Sequence, residues 1–158
     1  MRVNRRAVRP SEIPSGNFAA KAPGKKKASR QNCEETKQKA VISWSKWIRI
    51  PPAPDIEPGS KVFDYLFAIP NGGSRHPREA ANLKASGVKA GVHDLMLPIA
   101  RGGYVGLWVE MKHGKNTLTE DQKAWGERMR LAGYLTVTAW EAETAEKAIA
   151  DYLGIRTF

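Results

Sequence analysis

Apolar positions along the chain switch between two spacings, and each switch marks the border of an element. Val41, Trp44 and Ile48 recur at i, i+3 and i+7 in a stretch from Cys33 to Ile48 without Pro or Gly, which predicts an amphipathic helix. The next stretch, Ile50–Gly59, contains Pro51, Pro52, Pro54 and Pro58, which end that helix and predict a stiff, extended connection. Val62–Ile69 is rich in aromatic and branched residues and reads as a strand stopped by Pro70-Asn71-Gly72-Gly73. Residues 77–86, with Pro77 in the first turn and Gly87 behind, predict a short helix.

The clearest patterning lies in the middle of the chain. Val92–Pro98 and Tyr104–Lys112 read as two strands joined by the Gly-containing residues 99–103, short enough for a hairpin. In the second strand Val105, Leu107, Val109 and Met111 face one way, and Gly106, Trp108, Glu110 and Lys112 the other. Thr119-Glu-Asp-Gln122 then opens a helix with Trp125, Met129 and Ala132 on one stripe and Gly133 at its end. Tyr134–Trp140 is a further short strand and Glu143–Leu153 a last helix. The helix between Tyr104–Lys112 and Tyr134–Trp140 makes a β-α-β crossover, so those two strands are expected to be parallel. The fold class is therefore α/β, a mixed sheet flanked by helices.

Charge divides the chain in two. The 158 residues carry 26 Lys and Arg against 16 Asp and Glu, a net +10. Residues 1–30 hold nine basic side chains and one acid, +8, which leaves only +2 for residues 31–158. Pro10, Pro14, Gly16, Pro23 and Gly24, with almost no large apolar residue among them, predict a basic, disordered arm over 1–30 ahead of one folded domain over 31–158. Such an arm can attract nucleic-acid phosphates without regard to sequence, act as an address signal, or be a solubilising leader. The single cysteine, Cys33, excludes a disulfide scaffold and a Cys-rich zinc module and suits a reducing compartment. No apolar run approaches the roughly 20 residues of a membrane span, and no apolar segment follows the N-terminal charges. A soluble, unexported, cytoplasmic protein without a membrane partner is expected.

Three charged residues sit where a sheet should be apolar. Asp94 lies within Val-His-Asp-Leu-Met-Leu, and Glu110 and Lys112 end Leu-Trp-Val-Glu-Met-Lys. Carboxylates on adjacent strands of a hairpin can reach one ion, and without a counter-ion their repulsion and desolvation are costly. Oxygen ligands without a Cys cluster suit Mg²⁺ or Mn²⁺ rather than zinc, and Lys112 can hold a water or a phosphate oxygen beside them. That set suits metal-assisted hydrolysis of a phosphodiester. By itself, however, the spacing more often marks a solvated strand edge with an ion pair worth about 0–1 kcal/mol.

Longer stretches add specificity. Ile-Pro-Asn-Gly-Gly-Ser-Arg at 69–75, Leu83–Pro98 with its Gly91-Val-His-Asp94, Gly103–Lys112 with its Glu-x-Lys, and Leu118–Gly133 with its Gln122 closely resemble the VRR-NUC family of the PD-(D/E)xK nuclease superfamily. The resemblance spans roughly residues 34–153, and small stand-alone members of this kind are typical of bacteriophages, whose setting is the host cytoplasm. It implies a restriction-endonuclease-like sheet and a Mg²⁺-dependent DNA endonuclease, with Mn²⁺ as a substitute and no small-molecule cofactor. Asp94 and Glu110 would bind the metal with the Met111 carbonyl, Lys112 would orient the water, and Gln122 would be the motif glutamine. Glu34, with Gln38 a turn later, resembles the acidic position of the family's first helix, with Glu35 as the competing assignment. His93 departs from the family, in which many members have Pro before the aspartate. The resemblance also implies selectivity for DNA structure, with a homodimer cutting four-way junctions. The alternatives are a flap- or nick-directed nuclease, a restriction-like enzyme with sequence preference, and a non-catalytic nucleic-acid-binding scaffold that keeps the fold.

Other residues carry weaker signals. Gln122 stands three residues after Thr119, the spacing of a capping box, and its amide can serve a cap and a site through different atoms. Lys89, Arg75, Asn71 and Lys115 are candidate nucleic-acid contacts in loops, where the bland reading is a solvated cation or simple turn chemistry. His76, His93 and His113 lack the spacing of a zinc site. Trp44, Trp47, Trp108, Trp125 and Trp140 are core candidates, and Trp108 shares a strand face with Glu110.

Overall fold

A computed structural model describes residues 30–70 and 82–156 of the chain. Three helices and four strands can be followed: α1 (Arg30–Ser45), β1 (Phe67–Ala68), β2 (Leu95–Leu97), β3 (Leu107–Met111), α2 (Glu120–Leu131), β4 (Leu135–Ala139) and α3 (Ala142–Leu153). The strands lie in that order in one sheet. β1 and β3 each run antiparallel to β2, whereas β4 runs parallel to β3, as its α2 crossover requires. The predicted mixed α/β sheet is thus present.

The core explains the layers. Leu107, Val109 and Met111 of β3, with Leu95 and Leu97 of β2, bury one face of the sheet against Val41 of α1 and Ala145, Ile149 and Leu153 of α3. Trp108 on the opposite face meets Trp125 of α2 edge to face at 5.5 Å between ring centroids. All five residues of β3 are buried, so helices cover it on both sides. The alternation expected for this strand holds over Leu107–Met111, and both of its faces are covered. Val105, assigned to it by pattern, lies outside the ladder and is exposed.

Two other elements differ from expectation. Val62–Ile69 is not one strand: Val62–Asp64 forms a 3-10 turn, and pairing begins only at Phe67. Val62 and Leu66 are the buried positions, a helical i, i+4 spacing, and the Asp64 carboxylate accepts the Lys61 N–H at 2.7 Å, closing the turn. The Pro-rich stretch is not a spacer either. Ile50 N–H donates to the Ser60 carbonyl at 2.9 Å, and Ile56 is buried in the core, so the segment folds back on itself. Helix α1 stops at Ser45, and Ile48 packs on the core from beyond its end. Of the helix expected over 77–86, residues 82–85 are helical and 77–81 lie outside the described residues, as do residues 1–29, Asn71 and Arg75.

Candidate active site

The register of the two central strands decides which side chains meet. Leu95 pairs with Val109, so Asp94, one residue before β2, stands across from Glu110 near the end of β3. Directly opposed residues point to the same face, here the α2 face. Met111 pairs with Ala139 of β4, and the Lys112 N–H donates to the Ala139 carbonyl at 2.8 Å. Alternation of backbone groups therefore turns the Met111 N–H and C=O towards β2, beyond that strand's start. There the Met111 N–H donates to Asp94 Oδ2 at 2.8 Å.

Glu110 is almost wholly buried, at 1% exposure, and its two oxygens have different surroundings. Oε1 accepts from Lys112 Nζ at 2.6 Å and from Gln122 Nε2 at 2.5 Å. Oε2 is buried without a hydrogen-bond partner among the described residues. Burial, followed by the Asp94 charge, pushes the Glu110 carboxyl up to about 7, against the pull of Lys112. Asp94 is raised as well, again chiefly by burial, with the Met111 N–H and Lys112 opposing. Two carboxyls that resist ionisation side by side, one with an orphaned oxygen, form a site that a cation would relieve.

Gln122 is held by the start of its own helix. Thr119 Oγ1 accepts the Gln122 N–H at 3.3 Å, and Gln122 Oε1 accepts the Thr119 N–H at 2.9 Å, a complete capping box. With its carbonyl oxygen so engaged, the amide must present its NH₂ to Glu110. Gln122→Ala is expected to cost about 1 kcal/mol in denaturant unfolding through the lost cap. It is also expected to lower any metal-dependent cleavage about tenfold through the lost contact to Glu110.

The approach of α2 to Asp94 depends on two glycines. A Cβ on Gly91 (φ +79°) would lie 2.4 Å from the Asp121 backbone, so only glycine lets this loop pass the first turn of α2. Gly126, inside α2, leaves room for the His93 ring, 3.3 Å from where a Cβ would stand. His93 Nε2–H donates to the Gln122 carbonyl at 3.3 Å, and burial lowers this imidazole to about 4, so it is neutral at neutral pH. His93 thereby ties the strand entering Asp94 to the helix that carries Gln122. A glycine interrupting a helical pattern was the available signal for this contact.

Glu34 reaches the site from α1, and its charge contributes to raising both Asp94 and Glu110. Its Oε1 accepts from the His113 N–H at 3.1 Å and from Asn116 Nδ2 at 3.0 Å. Glu35 is exposed and paired instead with Lys39. Asn116, which sequence reasoning missed, also offers its carbonyl to Trp140 Nε1 at 3.0 Å, and the Trp140 carbonyl accepts from Lys37. The polar turn with Gly114 directly after Lys112 was the only hint of it in the sequence. Lys115 sits exposed in that turn, and Lys89 is exposed two residues before Gly91, so neither belongs to the buried cluster. Among the described residues no three His, Cys, Asp or Glu side chains are already gathered as a metal cage. No helix there is long and apolar enough to cross a membrane.

This sheet, with acidic and basic side chains buried at the junction of its antiparallel and parallel halves, is a nuclease-like α/β domain. No protein-family model matches the chain, and no curated protein matches it either. Among solved structures it is similar to a VRR_NUC domain protein, at 33% identity and a TM-score of 0.62, covering 79% of this chain and 91% of that one. The chain belongs to the VRR-NUC family.

Proposed function

We propose that this protein is a Mg²⁺-dependent DNA endonuclease whose reaction is centred on Asp94, Glu110 and Lys112. The observation that carries this reading is the buried, unpartnered Glu110 Oε2 across the strand register from Asp94. Both carboxylates, with the Met111 carbonyl directed to the same side, would hold the ion, and Glu34 would add a further contact through water. A divalent ion there supplies the positive charge that polarises a phosphoryl oxygen and acidifies water.

The chain's own groups define the remaining work. Lys112 keeps one N–H on Glu110 and has others with which to hold a water or a non-bridging phosphate oxygen. Gln122 fixes the rotamer of Glu110 and so the direction of its unpartnered oxygen. In hydrolysis the water oxygen bonds to phosphorus and gives up a proton, the P–O bond to the leaving sugar oxygen breaks, and that oxygen takes up a proton, so protons balance overall. The developing negative charge falls beside the Lys112 ammonium. Selectivity for branched DNA, and a two-fold dimer that offers two such sites to the opposed strands of a four-way junction, complete the proposal.

The test incubates wild-type protein with labelled junction, flap, nicked duplex, intact duplex and single-stranded DNA, in Mg²⁺, in Mn²⁺ and in chelator. Metal-dependent cutting of the junction in preference to the other substrates is expected. Cutting in chelator, or no cutting of any substrate, would sink the reading. Metal binding also has a signature apart from activity. Because the ion must displace a proton from Glu110, the rise in melting temperature on adding Mg²⁺ or Mn²⁺ should be small near about pH 5.5 and grow towards about pH 8.

A further inference from the structure

Two exposed aromatic side chains among the described residues stand well away from the carboxylates. Trp47, just past the end of α1, is 79% exposed, which corrects its assignment to the core, and Phe63 on the 3-10 turn is 43% exposed. Their two segments are paired: Arg49 and Lys61 form an antiparallel bridge, and the Val62 N–H donates to the Ile48 carbonyl at 2.9 Å. Across that pairing each segment places a cation on the other's ring. Lys46 Nζ lies 5.1 Å from the Phe63 centroid, and Lys61 Nζ lies 6.0 Å from that of Trp47. Arg49 adds a third cation, donating to the Gly59 carbonyl at 3.0 Å. The neighbouring acid, Asp64, is engaged by the Lys61 N–H.

A single exposed apolar residue needs no explanation, but two rings set among three cations form a surface of definite chemistry. It suits a partner with flat π-faces and negative charge. The chain's own leading segment, at +8, would be repelled by it. A second copy meeting it across a two-fold axis would set like cations against each other. A nucleic-acid strand satisfies both demands, its bases stacking on the rings and its phosphates meeting the ammonium groups.

We propose that Trp47, Phe63, Lys46 and Lys61 form a subsite for an unpaired DNA strand, remote from the catalytic carboxylates. The identity of the partner rests on the nuclease reading above. Glu34 and Trp47 are separated by most of the length of α1, about 20 Å at 1.5 Å per residue. A strand threading both places spans at most about six nucleotide steps, the number at the 3.4 Å rise of a stacked strand. A paired base hides its face inside the duplex, so the subsite takes bases unstacked at a branch point or in a tail and not those of intact duplex.

The test measures affinity in chelator, where no cleavage occurs, for a duplex with a single-stranded tail and for the same duplex with blunt ends. Trp47→Ala should weaken binding of the tailed duplex about tenfold and leave the blunt duplex unchanged. Lys61→Glu should weaken binding of the tailed duplex and flatten its salt dependence. Trp47 is exposed and Lys61 half-buried, and circular dichroism checks that the variants fold. Equal affinities of wild type and variants for the tailed duplex, equal losses on both DNAs, or no binding by wild type would each overturn the proposal. A change in sedimentation on Trp47→Ala with DNA affinity intact would overturn it too, in favour of contact between copies. Because binding is read without metal, a tail-specific loss in a protein that cuts nothing would keep the subsite and remove the nuclease reading.

Discussion

Asp94→Asn and Glu110→Gln are each expected to lower metal-dependent DNA cleavage about a thousandfold or more, with the domain still folded. Both substitutions keep shape and remove charge. Asn at position 94 retains an oxygen for the Met111 N–H, and Gln at position 110 retains one for Lys112 and Gln122. Since burial already raises Asp94, Asp94→Asn lifts a desolvation penalty and should leave metal-free stability intact or increased, whereas Glu110→Gln leaves the buried Lys112 ammonium without its anion and should lower it. Single-turnover cleavage rates and thermal melts separate the two effects. Wild-type melting with rates at the wild-type level would remove these carboxylates from the reaction.

Lys112→Met should combine a loss of cleavage of about two to three orders of magnitude with a stability change that depends on pH. The buried ammonium lowers Glu110, so its removal leaves that carboxyl higher still. A carboxyl whose folded pKa lies above its unfolded value favours the fold while protonated, and the advantage is lost as pH rises through the folded pKa. Below about pH 7 Glu110 is protonated in wild type and variant alike, and the variant is expected to melt near wild type. Above it the wild-type carboxylate ionises against Lys112, which the variant cannot match, and the gap widens by up to about 1.4 kcal/mol per pH unit. Denaturant unfolding at a series of pH values in chelator reads this directly. A gap that stays constant across the range would mean that the pair does not hold the charge at Glu110.

The fold was legible where periodicity and turn residues agreed. The hairpin, the parallel crossover and the last helix follow from Gly-containing turns, alternation over Leu107–Met111 and a capping sequence at Thr119, all local signals that tertiary contacts only reinforce. Val62–Ile69 was misread because aromatic and branched residues favour a strand, whereas the buried pair Val62 and Leu66 and the carboxylate of Asp64 choose a turn. Trp47 was misread for a related reason: hydrophobicity does not say which side of α1 the chain leaves by. In the candidate site, Asp94, Glu110 and Lys112 could be named from sequence because each interrupts an apolar strand pattern, and Gln122 through the family resemblance beside its capping-box spacing. The roles of Asn116 and of His93 against Gly126 could not, since they depend on the approach of separate elements; the glycine inside α2 signals a close approach without naming its partner.

One amide joins the start of α2 to the buried carboxylate. The first turn of a helix is ordinarily where opening fluctuations begin, at little cost to the rest of a domain. Here the Gln122 side chain closes that turn and holds Glu110 at once, so fraying at Thr119 releases the carboxylate in the same event. The amide protons at the head of α2 and the order of the site should therefore be protected as one cooperative unit, and an ion that stiffens Glu110 would slow their exchange with solvent.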